Sequence, residues 1–184
     1  MTFSVCIFCG SSCGDDPRYT EAARETGAEI ARRGWTLVYG GARVGLMGVV
    51  ANAALDAGGR VVGVVPRFLY EREVGHDGVT SLEIVGSLTE RKLRMGELSD
   101  AFLSLPGGIG TLDEMFEAWS WSQVGLQSKP SGLLNVAGYY DALVSFIERA
   151  TAAGFVKPQH RQWLSVSNDV GELLDRVRRR PSPP

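Results

Sequence analysis

The 184-residue sequence is short of cysteine, histidine and lysine, and each shortage removes a class of chemistry. Its three cysteines, Cys6, Cys9 and Cys13, fall within eight residues, and the odd number excludes a simple disulfide framework. A tetrahedral metal site built on the Cys6-x2-Cys9 spacing needs a fourth ligand, and only His76 and His160 are available. Cys6 and Cys9 therefore read as small buried thiols of a strand, and no metal is expected. A charge excess of either sign is missing too: 19 Lys plus Arg stand against 21 Asp plus Glu, a net charge of −2. That balance lacks the basic footprint of a dedicated nucleic-acid binder. The one basic cluster, Arg176 to Arg180, reads as a solvated helix end. No run approaches the ~20 apolar residues of a membrane-spanning helix. Met1 to Cys9 lacks the positive start and long apolar core of a signal peptide. Neither nucleic acid nor membrane is expected as a partner, and the expected compartment is the cytoplasm.

What is present is an ordinary globular composition, 44% hydrophobic and 22% charged. Short apolar runs alternate with longer helical ones, the pattern of βαβ units around a parallel sheet. Strands are expected over 3–9, 36–39, 61–65, 81–85, 101–105, 131–136 and 164–166. Helices are expected from 17 to about 33, from 45 to about 57 and from 87 to 99, with further ones starting near 111, 139 and 169. Residues 67–78 read as a loop with room for a short helix. In the helix near Thr111, Leu112, Met115, Phe116 and Trp119 share one face; in the next, Leu143, Phe146, Ile147 and Ala150 are expected to be buried. The fold class is α/β, a Rossmann-like doubly wound parallel sheet with helices on both faces. Residues 1–180 read as a single domain and the Pro-rich 181–184 as a flexible tail.

In such folds ligands bind beyond the carboxyl ends of the strands. Three strand-to-helix loops there are rich in glycine or serine: Gly10-Ser11-Ser12-Cys13-Gly14, Gly40-Gly41-Ala42-Arg43-Val44-Gly45-Leu46-Met47-Gly48, and Pro106-Gly107-Gly108-Ile109-Gly110-Thr111. Glycine lets backbone approach a ligand, and a helix N-terminus offers free N–H donors and the positive end of its dipole. Three such loops at one sheet edge point to a phosphorylated ligand. None matches a complete dinucleotide fingerprint, and no Walker loop is present. Thr111-Leu112-Asp113-Glu114 admits two readings. Spacing alone favours a capping box, with Thr111 as N-cap and Glu114 reaching back; the alternative is a carboxylate facing a sugar or a water. Arg91 and Lys92 lie between Leu88 and Met95 on a stripe that also includes Leu98, and cations on an inward face are rare unless they meet an anion.

Taken together, Pro106-Gly107-Gly108-Ile109-Gly110-Thr111-Leu112-Asp113-Glu114 resembles the P-G-G-x-G-T-x-x-E signature of the LOG (Lonely guy) family. These are cytokinin riboside 5′-monophosphate phosphoribohydrolases, formerly labelled lysine decarboxylases. Arg91-Lys92, Gly45-Leu46-Met47-Gly48, Cys9-Gly10-Ser11-Ser12 and the stretch from Lys129-Pro130 to Gly138-Tyr139-Tyr140 resemble further family motifs, and the likeness spans about residues 3–157. It implies hydrolysis of the N-glycosidic bond of N6-modified adenosine 5′-monophosphates to free base and ribose 5-phosphate, without a cofactor. By the same resemblance Glu114 and Arg91 are the catalytic pair, with Lys92 in support. Ser11, Ser12, Gly40, Gly41, Gly45, Met47, Gly107, Gly108, Ile109, Gly110 and Thr111 would cradle the nucleotide, and Glu73, Asp113 and Ser120 would add contacts. The chain departs from the family at Thr89, where a His is common, and at Asp113, where a second Glu is common. The resemblance also implies a homodimer, for which Trp119, Trp121 and the helix from Leu88 to Leu98 are candidate surfaces.

Two rival readings differ in class. A pyridoxal-phosphate decarboxylase needs a Schiff-base lysine, and Lys92 is the only suitable one of three, the others being Lys129 and Lys157. A non-catalytic nucleotide carrier of the same fold needs no catalytic pair, and the presence of both Arg91 and Glu114 argues against it.

Overall fold

A computed structural model describes residues 2–179, apart from the side chains of Glu73 and Val74, so the expected tail at 181–184 lies outside the described residues. Strand β1 (Ser4–Phe8) is buried along its whole length, as a strand covered on both faces must be. Helix α1 (Pro17–Arg32) starts behind Asp16, whose side chain accepts the Arg18 N–H, and Pro17 sits in the first turn, where no N–H is needed. Gly34, at φ +68°, closes it. There follow β2 (Thr36–Tyr39), α2 (Gly45–Asp56) and β3 (Arg60–Pro66). One helical turn, α3 (Arg67–Leu69), runs into a π-type turn over Tyr70–Val74. Next come β4 (Ser81–Val85), α4 (Leu88–Glu97), β5 (Ala101–Ser104), α5 (Ile109–Gln123) and β6 (Ser131–Leu134). A 3-10 turn at Val136–Gly138 precedes α6 (Asp141–Ala152), α7 (Pro158–Gln162), β7 (Leu164–Ser167) and α8 (Val170–Arg179).

Among the described residues, seven strands form one sheet in the order β4-β3-β2-β1-β5-β6-β7, and every pairing is parallel. Helices α1, α2 and α8 cover one face, through Ala23, Ile30, Val50, Ala54 and Leu173; α4, α5 and α6 cover the other, through Met95, Ala118, Met115, Trp119 and Ile147. This is the doubly wound α/β arrangement with helices on both faces. The chain builds outward from β1 to the β4 edge, then returns to β5 and builds to the β7 edge. The loops after β1 and β5 therefore lead to helices on opposite faces, and this switch point at the carboxyl ends of the strands is where such folds place a ligand.

Three local expectations are corrected. Helix α5 begins at Ile109 with Gly108 as N-cap and no side-chain cap, so Thr111 is already inside the first turn and the capping-box reading of Thr111 and Glu114 fails. A Ser-x-x-Glu cap stands on α4 instead: Ser87 Oγ accepts the Glu90 N–H at 3.1 Å, and the Glu90 carboxylate accepts the Gly86 N–H at 2.7 Å. Phe146 is 60% exposed, because α6 meets the sheet along a narrow line through Ile147 and the neighbouring position turns to solvent. Leu88 is 49% exposed rather than inward, and its side chain borders the cleft described below.

Helices α1 and α2 touch where Gly27 meets the backbone of Val50; a Cβ at Gly27 would overlap the Val50 carbonyl oxygen. Gly27→Ala must push the helices apart and is expected to cost ~1–3 kcal/mol, the usual range for overpacking. The urea midpoint should fall accordingly. An unchanged midpoint would mean that this contact does not limit helix packing.

Candidate active site

The three glycine-rich loops meet backbone to backbone. Gly45, at φ +57°, packs so closely on Ser11 and Ser12 that any side chain there would overlap their main chain. A Cβ on Gly107 would overlap the Thr111 hydroxyl and come within 2.8 Å of the Gly10 nitrogen. Hydrogen bonds close the assembly: the Gly10 N–H donates to the Pro106 carbonyl at 3.1 Å, and the Met47 N–H to the Gly10 carbonyl at 3.4 Å. At its edge α5 presents the N–H groups of its first turn, which no helical carbonyl can satisfy. Cβ atoms placed on Gly108 and Gly110 would meet nothing, so this turn faces open space. Free donors and the helix dipole suit such a turn to an anion.

Beside that turn lies a cleft of about 390 Å³ with Arg91 and Glu114 in its wall. Arg91 comes from α4 and Glu114 from the second turn of α5, and Arg91 Nη2 donates to Glu114 Oε1. Both are mostly buried, their side chains 13% and 8% exposed. Gly40 makes room for the guanidinium: a Cβ there would sit 3.4 Å from Arg91 Nη1 and 3.2 Å from Met47 Sδ. Arg91 Nε is buried without a hydrogen-bond partner among the described residues, so the guanidinium retains an unused donor. Burial pushes the Glu114 carboxyl up, and the charge and hydrogen bond of Arg91 pull it back without cancelling, so it stays above the ordinary carboxylate value. At the cleft floor Cys9 is likewise raised by burial and then by the Glu114 charge, which keeps its thiol protonated.

Lys92 points away from this chemistry. Its Nζ lies 2.9 Å from Asp113 and 2.6 Å from Glu117, bracing α4 against α5. Burial pulls its ammonium down, but the hydrogen bonds and charges of Glu117 and Asp113 outweigh that and hold it above its usual value. Among the described residues no cluster of three His, Cys, Asp or Glu side chains could hold a metal ion.

Of the residues singled out from sequence, Ser11, Gly40, Met47, Arg91, Gly108, Ile109, Gly110, Thr111 and Glu114 line the cleft. Ser12 and Gly107 line a second, smaller cleft of about 260 Å³ on the other side of the 106–108 loop. Gly41, at φ +72°, seats the second loop against Val64 and Val65 of β3, and Gly45 acts through Ser11 and Ser12. Lys92 and Asp113 pair with each other beside the site, and Ser120 is exposed on α5 outside the cleft. The contact expected at Glu73 falls on a side chain outside the described residues. The sequence reading did not identify the apolar wall, which joins Val44, Val65, Leu69 and Leu88 to Ile109. These residues come from four separate segments and share no period that could have marked them.

A family model described as "Possible lysine decarboxylase" matches residues 47–177. Over 176 residues the chain is 48% identical to the cytokinin riboside 5′-monophosphate phosphoribohydrolase of Rhodococcoides fascians, covering 95% of this chain and 89% of that protein. It is 47% identical to the probable cytokinin riboside 5′-monophosphate phosphoribohydrolase LOGL9 of Oryza sativa subsp. japonica, over 94% of this chain and 76% of that one. To the cytokinin riboside 5′-monophosphate phosphoribohydrolase LOG1 of Arabidopsis thaliana the identity is 43%, over 94% and 81%. Among solved structures, the molybdenum cofactor binding protein of Rippkaea orientalis superposes with a TM-score of 0.74 at 21% identity, covering 97% of this chain and 96% of that one. The Moco carrier protein of Chlamydomonas reinhardtii gives 0.74 at 22%, with coverages of 97% and 96%. These two likenesses are of fold alone.

Because the folded Glu114 holds its proton to higher pH than the unfolded chain does, its contribution to stability is present below the unfolded pKa and is lost as pH rises through the folded one. Titration of the Glu114 carboxyl by carbon NMR should find its pKa above the ordinary carboxylate range, and Arg91→Gln should raise it further. A value at or below that range, or one that Arg91→Gln leaves unmoved, would contradict the balance of burial and pairing.

Proposed function

The chain belongs to the LOG family, and from that premise we propose that it is a phosphoribohydrolase of N6-modified adenosine 5′-monophosphates, releasing the free base and ribose 5-phosphate. The observation that carries the reading is the Arg91–Glu114 pair beside the free N-terminal turn of α5, in one cleft of about 390 Å³. That volume falls within the ~300–1,000 Å³ typical of small-ligand sites. The 5′-phosphate lies against the N–H groups of 108–111, with Ser11 beside them, which brings the ribose toward Glu114. As the bond between C1′ and the purine nitrogen breaks, its electron pair leaves with the base and positive charge develops on the sugar. The Glu114 carboxylate stabilises that charge and takes a proton from the water that attacks C1′; that proton passes to the departing purine, so a neutral base and ribose 5-phosphate leave and Glu114 returns to its carboxylate. Arg91 offsets part of the burial penalty on the Glu114 carboxylate and uses its remaining donors on the substrate. Gly40, Gly41, Gly45 and Met47 shape the opposite wall, Lys92 and Asp113 fix α4 to α5, and the apolar wall receives the N6 substituent.

Residues 1–180 are taken as one domain, supported by the single sheet. A homodimer fits the exposed apolar residues of α4 and α5, Leu88, Leu93, Ile109 and Phe116, of which Ile109 is 88% exposed, whereas Trp119, expected from sequence as part of such a surface, is buried. Across such a dimer Ser120 reaches substrate, and a fully active monomer by light scattering would contradict this assembly. Among the described residues no helix is long and apolar enough to cross a membrane, and a nucleotide substrate fits a cytoplasmic address.

The decarboxylase chemistry named by the family model needs a free amine as Schiff-base partner. No lysine lines the cleft: Lys92 is held by two acids, Lys129 Nζ donates to the Gly96 carbonyl at 2.5 Å, and Lys157 is an exposed residue at the start of α7, outside the cleft.

Glu114→Gln tests the reading. Turnover of N6-isopentenyl-AMP, followed by chromatography of the free base, should fall by ~10²-fold or more, as for loss of a positioned charged group. Nucleotide binding should persist, because the loops are untouched. A Gln variant near the wild-type rate would return Glu114 to a structural role, and a wild type that binds but never cleaves would make the protein a carrier.

A further inference from the structure

The turn at the N-terminus of α5 contains a Gly-Gly peptide. Gly107 and Gly108 both lack a Cβ, so the unit between them rotates at little steric cost. In a trans peptide the Gly107 carbonyl and the Gly108 N–H point in opposite directions. A flip would exchange the donor offered to a phosphate for a carbonyl oxygen that repels it.

Three consecutive carbonyls of this loop are each held by a donor. The Tyr140 hydroxyl donates to the Leu105 carbonyl at 2.6 Å, the Gly10 N–H to that of Pro106 at 3.1 Å, and the Tyr139 hydroxyl to that of Gly107 at 2.6 Å. The two tyrosines are delivered by a strained turn. Ala137, at φ +54°, is the one non-glycine at positive φ among the described residues, and Gly138 follows at φ +75°. Asn135 locks that turn, its Oδ1 accepting the Tyr140 N–H and its Nδ2 donating to Asp141, both at 2.7 Å. The Tyr139 ring is fixed edge-on against Tyr140 and Tyr19, with centroids 4.9 and 5.5 Å away. A strained backbone kept in place by this many contacts marks a segment with a task beyond connecting β6 to α6.

We infer that Tyr139 is a positioning residue for phosphate recognition: its hydroxyl holds the Gly107 carbonyl and so keeps the Gly108 N–H aimed at the 5′-phosphate. This rests on the nucleotide reading above. Tyr140 has a different part, since its hydroxyl is buried and serves the Leu105 carbonyl, outside the glycine pair.

The test is calorimetric binding of AMP, adenosine and inorganic phosphate to the wild type, Tyr139→Phe and Tyr140→Phe, with thermal unfolding of each. Loss of one orienting hydrogen bond is expected to weaken AMP and phosphate binding to Tyr139→Phe about tenfold. Adenosine affinity should hold, and the melting temperature should barely move, because water can reach the exposed end of the side chain. Tyr140→Phe should show the reverse, a lower melting temperature with AMP binding retained. Unchanged AMP affinity in Tyr139→Phe, or an equal loss for adenosine, overturns the proposal. A wild type that binds neither AMP nor phosphate removes the cradle and this inference together. One that binds both but cleaves nothing, with the Tyr139→Phe effect intact, upholds the inference and rejects only the hydrolase.

Discussion

Backbone meeting backbone at the crevice between β1 and β5 is the constraint from which the rest of the site follows. The loops after β1, β2 and β5 converge where the strand order reverses, and there is no room between them for side chains: Gly45 abuts Ser11 and Ser12, and Gly107 abuts Gly10 and Thr111. Because the loops touch, the first turn of α5 is held at the edge of the cleft with its N–H groups unspent. The same closeness brings Gly40 under the Arg91 guanidinium, where a larger residue would crowd it.

The second consequence is an ion pair set between two helices. Arg91 and Glu114 are separated by β5 in the chain and joined only by the packing of α4 and α5 on one face of the sheet. Lys92 strengthens that packing from the next position by gripping Asp113 and Glu117. One helix pair thus has a bracing contact at its surface and a mostly buried ion pair at its inner edge, in the cleft wall. Removing Arg91 would leave a mostly buried carboxylate without its cation, which in such settings costs several kcal/mol unless the carboxylate takes up a proton. The pair is therefore poised rather than inert, and a sugar bearing positive charge can replace part of what Arg91 supplies.

The architecture was legible wherever breakers bound a regular pattern. Gly34 and Gly40 frame β2 and Gly78 and Gly86 bracket β4, and both strands lie where the alternation of apolar runs puts them. Misreadings arose where punctuation and structure part. Gly108 and Gly110 read as loop, yet Gly110 lies inside α5, so the helix starts earlier and the cap expected at Thr111 disappears. The five-residue helix α7 was too short to carry a period. In the site, the ordered motifs identified Arg91 and Glu114, but their meeting is a tertiary fact that spacing does not encode. The role of Tyr139 was equally hidden: its motif was recognisable, whereas the carbonyl it holds lies 32 residues away on another loop.

The central claim is that Arg91 and Glu114 form one catalytic unit at an anion-binding helix terminus. A double-mutant cycle on single-turnover cleavage of N6-isopentenyl-AMP tests it most directly, with Arg91→Ala, Glu114→Gln and the two combined. Groups that act as a unit lose their effect together, so the double variant should cleave no more slowly than the worse single one. Losses that multiply would show two residues working independently and would contradict the claim.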